Sequence, residues 1–453
     1  MRALFASAFR NPISAIGIAL TTAAGLLFIV LLGVLLLGFR ENPYAGIVVF
    51  VLVPAFFVVG LLLIPIGLSI ERRRARMGRA APTWPSIDLN DPGIRRTVLF
   101  VAGATVVNLA IVSLASYGAV EYTGSQQFCG QACHAIMEPE FVAHQSGLHG
   151  NVRCVACHVS PGAGGFVTAK LNGTRQLAHA LMGTYARPIP TPIENLPSVV
   201  GSCESCHHPD RFVGDVIKVI YEHADDEANT QTKTTLRIHV GGPIGGTGTG
   251  TGIHWHMNRA NQVEYVALDE KREQIPYVRV ATPDGTVREY FAEGVTPAAL
   301  EGKPRRRMDC LDCHSRPAHS FGTTPERAVD AALGASQLVG KIPFLRREAV
   351  RALRAEYVSQ DIAMREIDRT IRDAVNAKLP HNFEEAHLRR AVAVTQEIYR
   401  RNIFPSMKVG WGTYQNQIGH TTSTGCFRCH DDGHKTREGL AIRQECELCH
   451  TIE

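Results

Sequence analysis

All twelve cysteines fall into six pairs, and a histidine closes each one: Cys129/Cys133/His134, Cys154/Cys157/His158, Cys203/Cys206/His207, Cys310/Cys313/His314, Cys426/Cys429/His430 and Cys446/Cys449/His450. Five copies read C-x-x-C-H and the first reads C-x-x-x-C-H. Two thiols a turn apart can each form a thioether with a porphyrin vinyl group, and the adjacent imidazole then faces the iron. The pattern is therefore read as six covalent haem c attachment sites. A chain tethered at six places to large flat cofactors has to build its interior around them. Zinc ribbons also use C-x-x-C pairs but need no histidine directly after each second cysteine. No cysteine remains for a structural bridge or a catalytic thiol.

A near-neutral mean hydropathy hides two unlike halves. Residues 11–39 carry no charge, and their core, Ile16 to Leu37, exceeds the ~20 residues that cross a bilayer. Further uncharged runs cover Asn42 to Ile70 and Thr97 to Val120, so three transmembrane helices are predicted. The first is too long for a secretion signal and a second span follows at once, which makes it an uncleaved anchor. Arg72, Arg73, Arg74, Arg76, Arg79, Arg95 and Arg96 lie between spans two and three, whereas the first connection has Arg40 beside Glu41. The arginine-rich side belongs in the cytoplasm, placing the amino terminus inside and everything after span three outside. Beside two spans the arginine run is a topogenic signal, and no nucleic-acid partner is inferred. The formal charge of +5 omits haem propionates and carries no inference about partners.

Beyond the spans, Thr234 to Val240, Gln262 to Asp269, Ile275 to Ala281 and Val287 to Phe291 alternate or run apolar with β-branched residues, and Asp284-Gly285 is a hairpin signal. A small β insertion is expected there, interrupted by the loop Gly241 to Gly252. Pro325 to Leu333, Arg346 to Tyr357, Asp361 to Ala377 and Phe383 to Arg401 repeat apolar residues every three or four positions and predict helices.

The motif histidines His134, His158, His207, His314, His430 and His450 are the first ligands to iron. Nineteen histidines less these six leave thirteen for the opposite coordination positions. Two imidazoles on one iron suit electron transfer, since coordination need not change. His254 and His256 flank Trp255 and would share one side of an extended strand. His319 follows the fourth motif, His420 and His434 bracket the fifth, and His149 lies between the first and second. These six are the preferred candidates. His144, His179, His208, His223 and His239 rank below them, and His381 and His387 lie in charged helical surroundings. Met137, three residues after His134, is either a thioether ligand or a packing residue.

The stretch Phe128 to Lys170, FCGQACHAIMEPEFVAHQSGLHGNVRCVACHVSPGAGGFVTAK, resembles the membrane-proximal unit of NapC/NirT-type quinol dehydrogenases. The three leading spans, the stretched first motif, Arg187 to Pro192 (RPIPTP), Gly252 to His256 (GIHWH) and Arg307 to His314 (RMDCLDCH) resemble one branch, the ImcH-like inner-membrane multihaem cytochromes. The resemblance implies menaquinol oxidation at the outer face of the bacterial inner membrane, with a periplasmic haem domain passing electrons to periplasmic multihaem cytochromes or reductases. In a related small subunit a motif methionine, matched here by Met137, replaces the motif histidine at the first haem. This motif carries an extra residue and its methionine stands one position further on, so His134 and Met137 both stay open. The family also places a lysine near the quinol, matched by Lys170. Its acidic partner has no counterpart, with Gln176 the nearest polar substitute, and Glu138 or Glu140 could accept protons.

The expected fold is a multihaem cytochrome c, with three N-terminal transmembrane helices and then a mostly α, haem-dominated periplasmic domain containing a small β insertion. The expected divisions are a membrane anchor (1–121), a NapC/NirT-like three-haem unit (122–210), a β-containing insertion (211–305) and a helical C-terminal three-haem unit (306–453). The expected activity is quinol dehydrogenation with six covalent haem c groups. Two alternatives remain: a terminal reductase of a small oxyanion or metal ion, and a tethered electron relay that never touches quinone.

Overall fold

A computed structural model describes residues 12–36, 52–77, 90–92, 120–132, 134–193, 196–208, 213–241, 252–338, 342–378 and 384–453, with Arg211 and isolated residues between 95 and 118. The chain divides into two compact units: Met1–Cys129 with Val159–Arg175, and Gly130–His158 with Gln176–Glu453.

In the first unit, helices α1 (Pro12–Leu36) and α2 (Val53–Arg76) pack side by side. Small residues let their backbones approach: a Cβ added at Gly17 would lie 2.7 Å from the Gly60 carbonyl oxygen. Ser14 Oγ donates to the Ile64 carbonyl at 2.9 Å, so a polar group on α1 is satisfied by α2. Close approach through small residues is how helices associate in lipid, where apolar side chains gain nothing from leaving the solvent. Leu52, Phe56, Val58, Leu61 and Leu62 stay exposed on the outside.

The three-span expectation is met only in part. Val53–Glu71 is, among the described residues, the one helix long and apolar enough to cross a membrane, whereas the apolar stretch of α1, Pro12–Phe28, is shorter. The expected third span, 97–120, falls in larger part outside the described residues, as do most of the loop 241–252 and His381.

After a π-helical turn (Phe128–Ala132) come α3 (His134–Gln145), a one-turn helix at Cys154–His158, and α4 (Gly162–Met182). Within the second unit, four helices form the largest apolar core: α5 (Pro325–Gly334), α6 (Leu345–Arg354), α7 (Gln360–Lys378) and α8 (Glu385–Asn402). Their apolar stripes converge, with Val329, Leu345, Leu353, Ile367, Ile371, Leu388 and Tyr399 all buried. Thr324 caps α5 by accepting from the Arg327 amide at 3.3 Å, and Pro325 takes the first turn, where no amide donor is needed.

Strand content exceeds the small insertion expected, and this corrects the fold reading. The second unit holds a three-stranded sheet ordered β1-β2-β7 and a four-stranded sheet ordered β5-β4-β3-β6, all antiparallel. The strands are β1 (Asp215–His223), β2 (Gln231–His239), β3 (Gln262–Val266), β4 (Tyr277–Ala281), β5 (Val287–Phe291), β6 (Arg306–Arg307) and β7 (His450–Ile452). The first sheet takes its third strand from the chain's last residues, and the second takes β6 from the approach to the fourth motif. Sheet is therefore not confined to 211–305. The β4–β5 turn forms as its sequence demands, with Gly285 at φ +83° and Asp284 accepting from the Thr286 amide at 3.0 Å.

Candidate functional site

Five of the six motif histidines face a second imidazole. Ring centroids lie 6.0 Å apart for His158 and His319, 6.0 Å for His207 and His149, 6.5 Å for His314 and His254, 6.0 Å for His430 and His256, and 6.1 Å for His450 and His420. Two metal–imidazole bonds of about 2 Å each, plus roughly 1 Å from each ring centre to its donor nitrogen, give about 6 Å. The spacing thus fits one iron per pair. His149, His254, His256, His319 and His420 are each brought to a different motif, from positions that are distant in the chain in all but the last case.

Backbone carbonyls fix several of these rings. The Nδ1 atoms of His149, His254, His256, His319 and His430 lie 3.1, 3.3, 2.9, 2.8 and 2.9 Å from the carbonyl oxygens of Pro317, Val240, Ile253, Glu140 and Arg443. A carbonyl only accepts, so in each ring Nδ1 carries the proton and Nε2 keeps the lone pair a metal requires. Burial lowers the pKa of His254, His256 and His314, and pushes His319 down to about 4, which keeps these imidazoles neutral.

Two expectations are corrected. His254 and His256 do not share one side of an extended strand. Gly252, at φ +70°, turns the chain into a 3-10 helix, Ile253–Met257, closed by the Trp255 amide on the Gly252 carbonyl at 3.0 Å. At three residues per turn, positions two apart diverge by about 120°, and the two imidazoles go to different motifs. Among the described residues, no motif histidine stands opposite His434. Its Nδ1 meets Asp431 at 2.9 Å, its Nε2 meets the Ile275 carbonyl at 2.6 Å, and it is buried. The Asp three residues before it was the available signal, since Asp431 also accepts from the His434 amide at 2.9 Å.

Cys206 and Cys446 are exposed, and Cys203, Cys310, Cys313, Cys426 and Cys429 are half-buried. The third motif leaves a one-turn helix, Val199–Ser202, and the Cys203 carbonyl accepts from the amides of both Cys206 and His207, at 3.1 and 2.8 Å. That tight turn sets His207 facing His149, and the Ser205 hydroxyl donates to the Cys206 sulfur at 3.9 Å.

His144 ranked low in the sequence, yet it is buried with its ring centroid 5.8 Å from that of His319. Cys133 and the side chain of His134 lie outside the described residues, so the choice between His134 and Met137 does too. Met137 is half-buried on α3. Glu140, weighed as a proton acceptor, is buried and pairs with Arg316, whose guanidinium lies 3.9 Å from the Tyr414 ring centroid and 5.1 Å from that of Phe321. It also holds His319, whose Nδ1 is 3.3 Å from the carboxylate. Glu138 is exposed on α3.

Within the first unit, Lys170 Nζ lies 5.1 Å from the Phe166 ring centroid and 6.0 Å from that of Phe128, and Cys129 is near enough to act on it electrostatically. Desolvation lowers its pKa despite that opposing influence. Gln176 is exposed on the same helix six residues on, about 120° around the axis from Lys170, so it does not share the lysine's face.

Sequence comparison agrees with this arrangement. Residues 93–188 match the N-terminal region of the NapC/NirT cytochrome c family. The chain is 40% identical over 456 residues to the cytochrome c-type protein ImcH of Geobacter sulfurreducens, a match covering 98% of this chain and 88% of that protein. No solved structure matches the chain. Motifs, facing imidazoles and full-length similarity converge: the chain belongs to the NapC/NirT cytochrome c family, as an ImcH-like membrane cytochrome of electron transfer.

Proposed function

We propose that this protein is a hexahaem cytochrome c of the bacterial inner membrane that oxidises menaquinol on the periplasmic side and passes the electrons to periplasmic multihaem carriers. The observation that carries the reading is the set of five motif histidines, each opposite a second imidazole at the spacing of one iron. An iron with both axial positions filled exchanges electrons without exchanging ligands. That favours transport over direct reduction of an oxyanion or a metal ion.

The twelve motif cysteines anchor the haem groups. The six motif histidines and their facing partners hold the iron, and each haem when bound supplies one reversible electron. A three-helix anchor with its arginine-rich loop in the cytoplasm keeps the first attachment beside the membrane surface. The divisions at 121, 210 and 305 follow the motif clusters, with the sheet extended as described above.

Oxidation of a quinol releases two protons as well as two electrons. Lys170 is the residue assigned to one of those protons. Desolvation favours its neutral amine, which can accept one, and Phe128 and Phe166 offer flat apolar faces beside it. Glu138 remains a solvent-side acceptor, Met137 or His134 completes the first iron, and Gln176 is given no direct part. Glu140 is engaged by Arg316 and takes a positioning role instead.

The test is reduction of the detergent-purified protein by a menaquinol analogue, followed at the Soret band. Lys170→Met should abolish quinol reduction and leave dithionite reduction intact. Unchanged quinol kinetics in the variant would remove Lys170 from the site, and no quinol reduction by the unaltered protein would leave the tethered relay as the reading.

A further inference from the structure

The third and fourth motifs are separated by about a hundred residues that carry no attachment site, and the 3-10 turn Ile253–Met257 sits within them. We propose that this one turn supplies the opposite ligand to two different irons, His254 to the iron of the fourth motif and His256 to that of the fifth, locking the two haems into a rigid pair. The inference rests on haem attachment at the six motifs and adds which residue completes which iron.

Geometry carries it. The His254 and His314 rings have their centroids 6.5 Å apart and their planes near-parallel, at 2°. The His256 and His430 rings are 6.0 Å apart and nearly perpendicular, at 82°. The about 120° between alternate positions of a 3-10 helix sends the two histidines to separate partners, whereas an extended strand would keep both on one face. Met257 ends the turn with its sulfur 4.0 Å from Cys310 Sγ, so the turn also touches the fourth attachment directly.

A second set of contacts ties the same two motifs together. Arg428, inside the fifth Cys-x-x-Cys, donates to the carbonyl of Asp312, inside the fourth, at 2.6 Å. It also donates to the carbonyls of Arg272 at 2.9 Å and Gly425 at 2.8 Å. The buried Asp312 carboxylate accepts from Tyr265 and Arg272 at 2.7 Å and from Arg306 at 3.0 Å, and its second oxygen accepts from the Asp309 amide at 2.8 Å. The interior positions of both motifs thus join a single buried polar network. Networks satisfied this fully tolerate few alternative arrangements.

The angles between ring planes make the pairing measurable without any turnover assay. Mutual orientation of two axial imidazoles sets the splitting of the ferric d orbitals. Near-parallel rings give a rhombic low-spin electron paramagnetic resonance signal, and near-perpendicular rings give a strongly anisotropic one at large g. The oxidised full-length protein in detergent is compared with His254→Ala and His256→Ala. His254→Ala should lose one haem equivalent of rhombic signal, gain one high-spin haem and keep the large-g component. His256→Ala should lose large-g intensity and keep the rhombic component.

Each single variant should bind one carbon monoxide more than the parent after reduction, and the double variant two more. His254→Met and His256→Met, which keep a sixth ligand, guard against misfolding: each should retain six haems by haemochrome assay and alter only its own signal. Loss of the same signal in both alanine variants, two new high-spin haems from one substitution, or none, overturns the pairing. A parent protein without covalent haem overturns the haem reading beneath it, a result readily told apart from the others.

Discussion

Glu140 separates a structural role from a catalytic one most sharply. Its side chain and that of Arg316 are each only 10% exposed, and they form an ion pair. Removing one partner of a buried pair destabilises by about 3–5 kcal/mol, because the remaining charge is left without compensation. Here Arg316 keeps the faces of Tyr414 and Phe321. Cation–π contact at a desolvated site contributes about 2 kcal/mol, which places Glu140→Ala near the bottom of the range, at about 3 kcal/mol. At about 1.4 kcal/mol per decade that is somewhat over a hundredfold in a local opening constant.

The assay is native-state hydrogen exchange by mass spectrometry on the holoprotein, which reads local opening without a two-state assumption. Protection should fall by about that factor in peptides covering α3 and residues 315–321, and stay unchanged in α6, α7 and α8. Quinol reduction by Glu140→Gln should persist, because the amide can still accept from Arg316. Unaltered exchange in Glu140→Ala, or loss of quinol turnover in a Glu140→Gln protein with native exchange, would refute the positioning role and return Glu140 to the list of proton acceptors.

Lys170 gives a pH signature. Its pKa is lowered by desolvation, so the neutral, proton-accepting amine grows in as pH rises toward a value below the usual lysine figure of about 10.4. Quinol oxidation should therefore accelerate with pH on the alkaline side, and stopped-flow profiles of Lys170→Met should lack that limb; its survival would exclude the lysine. Ile367→Ala, at a fully buried position between α7 and its neighbours, should destabilise the helical core by about 2–5 kcal/mol, read as increased exchange in α6, α7 and α8 with six haems retained. Gly60→Leu should break the α1–α2 approach, because even a Cβ there would meet the Gly17 carbonyl at 2.9 Å. Reduced membrane-integrated protein on immunoblots is expected, and normal levels would show that the pair does not depend on close contact.

The cysteine–histidine motifs and the long helices were legible because each signal is local. Attachment chemistry fixes spacing within six residues, and the apolar stripes of α5 to α8 repeat every three or four. What escaped depends on distant partners. Strand β1 carries Val216 and Ile217 exposed side by side, so it shows no alternation to read. Strand β7 is three residues whose only reason to be extended is pairing with Leu236, Arg237 and Ile238 of β2. His254 and His256 were recognised by type and misplaced in geometry, because φ at Gly252 decides between strand and 3-10 turn. His434 and His144 show the limit of ranking histidines by sequence position: one is saturated by an aspartate and a carbonyl, and the other is carried by α3 to within reach of His319.

The competing reading, a terminal reductase, requires an iron that can release a ligand, and carbon monoxide reports that directly. Displacing His149, His254, His256 or His319 means moving an imidazole whose Nδ1 proton is held by a carbonyl at 2.8 to 3.3 Å. It also gives up that hydrogen bond, worth about 0.5–1.5 kcal/mol. His420 has no such anchor in view, but its ring stacks on Phe427 at 4.3 Å, which restrains it by area instead. Five irons should thus resist carbon monoxide, and only the first attachment, where His134 and Met137 compete, stays open to it. Titration of the dithionite-reduced protein should bind at most one carbon monoxide per six haems. Two or more would show that the facing imidazoles do not hold the iron, and would move the balance toward reduction of a small substrate at an accessible haem.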